Sequence, residues 1–119
     1  MHPLPLTLLL SLAPAAQVPR PLPELENLFA LKCAACHGPD GSGFSPEGLR
    51  LKGLNFTSAE DMKGRTDAEM IAAIRKGLFF GMKMPAFKDE LSDEEITVVI
   101  RDIIRKARKG KTIGHAEGR

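Results

Sequence analysis

The sequence predicts an all-α domain of three to five short helices, and three observations predict it. Apolar residues in each candidate segment recur at three- and four-residue spacing, which places them on one helical face. Ser or Thr stands three residues ahead of an acidic residue at the start of several of these runs, the arrangement that caps a helix N-terminus. No segment alternates apolar and polar residues for long enough to make a half-buried strand, and no internal repeat occurs.

Residues 1–16 read as a signal peptide. Leu4, Leu6, Leu8, Leu9, Leu10 and Leu12 form a short apolar stretch, and Ala13-Pro14-Ala15 places small residues where a signal peptidase reads. The stretch is too short for an ordinary transmembrane helix. It also lacks a Lys or Arg ahead of the leucines, so an uncleaved anchor is the alternative. Residues 17–23, with three prolines in seven positions, form an extended linker, because Pro removes a backbone donor and biases its predecessor away from helix.

The domain proper is expected over residues 24–109. Pro23 with Glu24 and Glu26 opens a first helix, whose Leu25, Leu28 and Phe29 share one face. Gly38-Pro39-Asp40-Gly41-Ser42-Gly43 ends it as a turn; no Lys-Ser/Thr follows to make it a phosphate loop. A short helix is expected before Met62, capped by Thr57 with Glu60 or by Ser58 with Asp61. Thr66 and Glu69 open another, with Met70, Ile71 and Ile74 inward and Gly77 as its stop. Ser92 and Glu95 cap the last helix, whose Ile96, Val99, Ile100, Ile103, Ile104 and Ala107 make an apolar stripe. Residues 110–119 are expected to be a flexible basic tail.

A body of about ninety residues buries a thin core and commonly needs a staple. This chain has six Phe and neither Trp nor Tyr, so something other than aromatic side chains is expected to fill its middle. Cys33-Ala34-Ala35-Cys36-His37 says what. Two thiols separated by two residues, with a histidine directly after, is the spacing of c-type haem attachment: each thiol adds across a vinyl group and the imidazole ligates the iron. A thioredoxin-like pair would follow a strand, whereas Leu28-Phe29-Ala30-Leu31 reads as helix. A zinc site needs further ligands, and the remaining histidines, His2 and His115, sit at the chain ends. A disulfide across two residues is strained.

The second informative stretch is Gly81-Met82-Lys83-Met84-Pro85-Ala86-Phe87, a loop between two helices. A thioether is a soft neutral ligand that raises a haem's reduction potential, and His/Met is an electron-transfer pairing. Met62 and Met70 read as core gap-fillers. Met84 differs from them because Pro85 fixes the loop behind it.

Taken together, C-A-A-C-H-G-P-D-G-S-G, N-F-T, T-D-A-E-M, M-P-A-F and L-S-D-E-E-I, with Phe29 four residues before the first cysteine, resemble the small class I c-type cytochromes from about Leu25 to Lys109. The resemblance implies the cytochrome c fold around one covalent haem c per chain. Cys33 and Cys36 would be the thioether residues, His37 the proximal ligand and Met84 the distal one, with Met82 as the fallback. Phe29 and Pro85 would border the haem. Two positions depart from the pattern. Asp102 stands where the family often has an aromatic packing on the first helix, so Ile100 or Ile103 must meet Phe29. Lys52-Gly53-Leu54-Asn55 replaces a stretch often rich in proline, and Leu54 is the expected carbonyl acceptor for the proximal imidazole.

The expected function is electron transfer, not catalysis, in the periplasm, with other redox proteins as donor and acceptor. The alternatives are a haem-bearing subunit or tethered partner of a respiratory or dehydrogenase complex, and a gas- or peroxide-reactive haem with a displaceable Met84. By resemblance Ala34, Ala35 and residues 82–86 border the docking surface. Charge is divided: 10 basic and 13 acidic residues up to Glu95, against 7 basic and 2 acidic beyond it. The basic end could meet an acidic partner or an anionic membrane. A nucleic-acid role is not expected, because no aromatics interleave the basic residues.

Overall fold

The computed structural model describes residues 18–115. The leader expected over residues 1–16, and the end of the tail at 116–119, lie outside the described residues. Five helices follow in order: α1 Leu22–Lys32, α2 Ala34–His37, α3 Ala59–Met62, α4 Asp67–Lys76 and α5 Asp93–Val98, the last continuing as a π-helical segment, Val99–Ile104. Among the described residues there is no β-strand, only two isolated bridges, Phe44 with Arg50 and Leu78 with Met84. No described helix is long and apolar enough to cross a membrane.

The caps are those the sequence encodes. Ser58 accepts from the Asp61 N–H at the head of α3. Thr66 with Glu69 and Ser92 with Glu95 each form a complete capping box, satisfying donors that a helix start otherwise leaves unpaired. Gly77 ends α4 at φ 75°, in the left-handed region that costs glycine nothing. Any Cβ there would also run into the backbone of Met84–Ala86, so this glycine lets the following loop close down on the helix end.

The core forms where α1, α4, α5 and the π segment meet. Leu25 and Phe29 from α1, Met70 and Ile74 from α4, and Ile96, Val99, Ile100, Ile103 and Ile104 are all buried there. Phe29 thus shares the core with Ile100 and Ile103, the residues left to meet it when Asp102 replaces an aromatic. Asp102 itself turns outward and pairs with Arg101 and Lys106. The last helix is not uniformly α. Its final six residues take the wider π turn, and it stops at Ile104, directly before Arg105 and Lys106.

Both flanks are tied to this core. Where the sequence offers a flexible tail, Ile113 is buried, its N–H donates to the Pro39 carbonyl, and the His115 N–H donates to the Asn27 side chain. At the other end the Arg20 guanidinium donates to both Glu95 carboxylate oxygens, at 2.7 and 3.0 Å, and to the Glu90 carbonyl at 2.7 Å. Glu95 is 6% exposed. Its hydrogen bonds from Arg20, opposed by burial, hold its carboxyl down at about 2.

Because the folded Glu95 carboxyl takes its proton near pH 2 and the unfolded one near 4.5, its contribution is complete above pH 4.5 and disappears as pH falls toward 2. That contribution is about 3 kcal/mol at most. Arg20→Met should lower stability at pH 7 by roughly 2 kcal/mol, and the difference from wild type should shrink below pH 4, as read by urea unfolding followed by circular dichroism.

Candidate functional site

Cys33, Cys36 and His37 lie at the junction where α1 ends and α2 begins. The Cys33 N–H still donates to the Phe29 carbonyl, so Cys33 closes α1, and the His37 N–H donates back to the Cys33 carbonyl. One turn of α2 therefore fixes the thiols and the imidazole relative to one another. Both thiols are free and half-buried. Desolvation, with smaller contributions from Cys36 and Glu90, pushes the Cys33 thiol up to about 12. Among the described residues no group of three or more His, Cys, Asp and Glu could hold a metal ion by itself.

The His37 ring is held on two sides. Its Nδ1 lies 3.1 Å from the Leu54 carbonyl oxygen. Since that oxygen can only accept, Nδ1 carries the hydrogen and Nε2 keeps its lone pair. Phe56 stacks on the imidazole with ring centroids 4.4 Å apart and planes 18° from parallel, and Phe56 in turn meets Phe29 at 6.4 Å. Burial pulls the His37 pKa below its usual value, against the opposing effect of the Leu54 bond. A neutral imidazole is the form that ligates a metal.

Backbone lacing puts the Leu54 carbonyl in place. The Gly53 N–H donates to the Cys36 carbonyl at 2.7 Å, Leu51 to Gly43 at 2.7 Å and Phe56 to Gly41 at 2.7 Å. The Arg50 guanidinium adds bonds to the Gly43 and Gly53 carbonyls at 2.9 and 3.1 Å. A Cβ at Gly53 would lie 2.5 Å from both His37 Nδ1 and the Cys36 oxygen. Only glycine fits there, which accounts for Gly53 within Lys52-Gly53-Leu54-Asn55.

The methionine loop is a hairpin-like turn. Leu78 donates to the Met84 carbonyl at 2.9 Å, and Phe87 is buried with its N–H on the Ile74 carbonyl. Met84 is half-buried and packs against the core cluster, as do Cys33, Ala34 and Phe56. Met82, by contrast, is 87% exposed, and Pro85 is exposed. Phe29 is buried within the core, behind Phe56 rather than at a surface. The sequence assigned no role to Phe56, Gly53 or Arg50. Only Phe56, two residues after Leu54 in the N-F-T run, carried a usable signal.

These residues fit a covalently held haem. Two free thiols flank one turn, an imidazole is oriented by its other nitrogen with Nε2 free, and a thioether fronts the same apolar core. Gly53→Ala should displace His37 from the Leu54 carbonyl. The expected result is a protein with markedly less bound haem than wild type, measured by haem-specific staining against total protein, whereas Lys52→Ala on the exposed neighbour should leave haem content unchanged.

Comparison with known proteins agrees with this geometry. Residues 20–112 match the family described as "Cytochrome C oxidase, cbb3-type, subunit III". Among solved structures, the chain is similar to the KustC0563 c-type cytochrome, at 28% identity and a TM-score of 0.54 over 71% of this chain and 96% of that one. A point mutant of KustC0563 matches at 28% identity and a TM-score of 0.52, covering 69% and 95%. Among curated proteins, no sequence matches significantly. A C-x-x-C-H turn with an oriented imidazole, in an all-helical fold shared with c-type cytochromes and matched over most of its length by this family, has one reading: the chain belongs to the cbb3-type subunit III family of cytochromes and is a small c-type cytochrome.

Proposed function

We propose that the protein is an exported one-electron carrier with a single haem c, held by Cys33 and Cys36 and ligated by His37 and Met84. When bound, the haem supplies a one-electron iron couple. The chain's own residues supply the rest. Leu54 holds the hydrogen on Nδ1, which keeps Nε2 available and the ring from rotating. Phe56 stacks against the imidazole face and excludes water from that side.

With His37 and Met84 both holding the iron, no ligand position would be left for a substrate, which favours electron transfer over catalysis. The observation that carries Met84 over Met82 is burial: Met84 packs on the core with Cys33 and Ala34, while Met82 points into solvent. A periplasmic setting is supported by the chemistry of covalent haem attachment, which in bacteria takes place outside the inner membrane, and by the leader read from residues 1–16. The family description favours a second reading, in which this domain passes electrons within an oxidase or another respiratory complex. In both readings donor and acceptor are redox proteins meeting over a small, transient interface. Co-purification of the tagged chain with an oxidase activity separates them.

The test is the absorption spectrum of the exported protein, oxidised and reduced, with and without carbon monoxide. Wild type and Met82→Ala should be low-spin and indifferent to carbon monoxide. Met84→Ala should be high-spin when oxidised and bind the gas when reduced. A wild type that binds carbon monoxide would replace the carrier with the gas- or peroxide-reactive alternative.

A further inference from the structure

The loop leading to Met84 carries an exposed apolar tip that the electron-transfer reading does not use. Phe79 and Phe80 occupy the two central positions of a tight turn closed by the Gly81 N–H on the Leu78 carbonyl at 3.1 Å. Both have positive φ, 52° and 55°. Bulky side chains rarely take this conformation, and each is strained there relative to a glycine. The usual occupants of such a turn are Asn and Gly. The aromatics contribute little packing to offset the strain, since Phe79 is 68% exposed and Phe80 fully exposed, with Met82 and Leu78 exposed beside them.

Along the chain the tip is flanked by cations, with the nearest carboxylates at Glu69 on one side and Asp89 and Glu90 on the other. From Met70 to Lys88 the chain has four cations, Arg75, Lys76, Lys83 and Lys88, and no carboxylate. Arg75 pairs with Asp93, but Lys76, Lys83 and Lys88 have no ion pair among the described residues. Lys83 lies over the Phe79 ring, 5.4 Å from its centroid. The turn also satisfies much of its own backbone: Met82 donates to Phe79, Lys83 to Leu78 and Leu78 to Met84. A loop entering an apolar medium must do this, because no water there can pair its amides.

From these features we propose that the Phe79–Phe80 turn inserts into the interface of an anionic lipid bilayer, with the flanking lysines at headgroup level. A lipid surface suits the tip better than a protein pocket. The apolar side chains crown a convex turn, which a fluid interface accepts without a matching cavity. Apolar burial and cation attraction are also the two contributions that sum in peripheral membrane binding. The proposal holds whichever ligands the iron takes.

The experiment is co-sedimentation of the haem-loaded protein with vesicles of phosphatidylcholine containing one-third phosphatidylglycerol. Wild type should bind these, bind pure phosphatidylcholine more weakly, and lose the difference in high salt. The variant Phe79→Asn with Phe80→Gly keeps the turn by placing its preferred residues, so it should fold at least as stably and keep its haem. Its partition onto the anionic vesicles should nevertheless fall by roughly tenfold or more. Equal binding of variant and wild type would overturn the proposal, as would a wild type that ignores the vesicles because its aromatics are covered in the holoprotein. So would a variant that loses electron exchange with a soluble protein acceptor while neither form binds lipid; the tip would then be a protein-docking plug.

Discussion

The hydrogen bond from His37 Nδ1 to the Leu54 carbonyl is the constraint on which the site depends. A histidine at the end of a single helical turn has two rotatable bonds and two ring nitrogens, and nothing in α2 alone selects among its orientations. The carbonyl selects one. To deliver it, the segment from Arg50 to Phe56 is laced to residues 36–43 by backbone bonds and by the Arg50 guanidinium. Gly53 passes so close to Cys36 and His37 that no side chain fits. The cost of ordering this irregular stretch is met by many short hydrogen bonds rather than by apolar burial, a division expected where a loop must aim one atom.

The apolar core supports that arrangement from behind. Phe29 is buried in the helical seam and touches Phe56, which stacks on the imidazole. The His37 ring is therefore connected through two aromatic contacts to the packing of α1 against the last helix. With Asp102 turned outward, Ile100, Ile103 and Ile104 from the π segment are the residues buried in the seam with Phe29.

Much of this was legible in the chain because the signals are local. Capping boxes at Thr66 and Ser92 need only a hydroxyl and a carboxylate three residues apart, and both form as read. The C-x-x-C-H spacing is equally local, and the Leu54 acceptor followed from alignment to a recognisable pattern. What escaped the sequence is non-local. Arg20 looked like one cation in a proline-rich linker, and its partner Glu95 lies 75 residues away. The docking of Ile113 against the turn at Pro39, the stacking of Phe56 and the π turn likewise depend on which surfaces meet, and spacing along a chain does not encode that.

The clasps at the two flanks have a consequence for how such a domain travels among proteins. Arg20 is fastened to the capping box of α5, and the His115 amide to Asn27 on α1, so both flanks are anchored on helices. The segments around His37, Leu54 and Met84 are secured by their own separate hydrogen bonds. A sequence joined before Arg20 or after His115 would not have to disturb those segments. The domain is thus built as a portable cassette, one that gene fusion could splice onto a longer polypeptide while its redox centre stays intact.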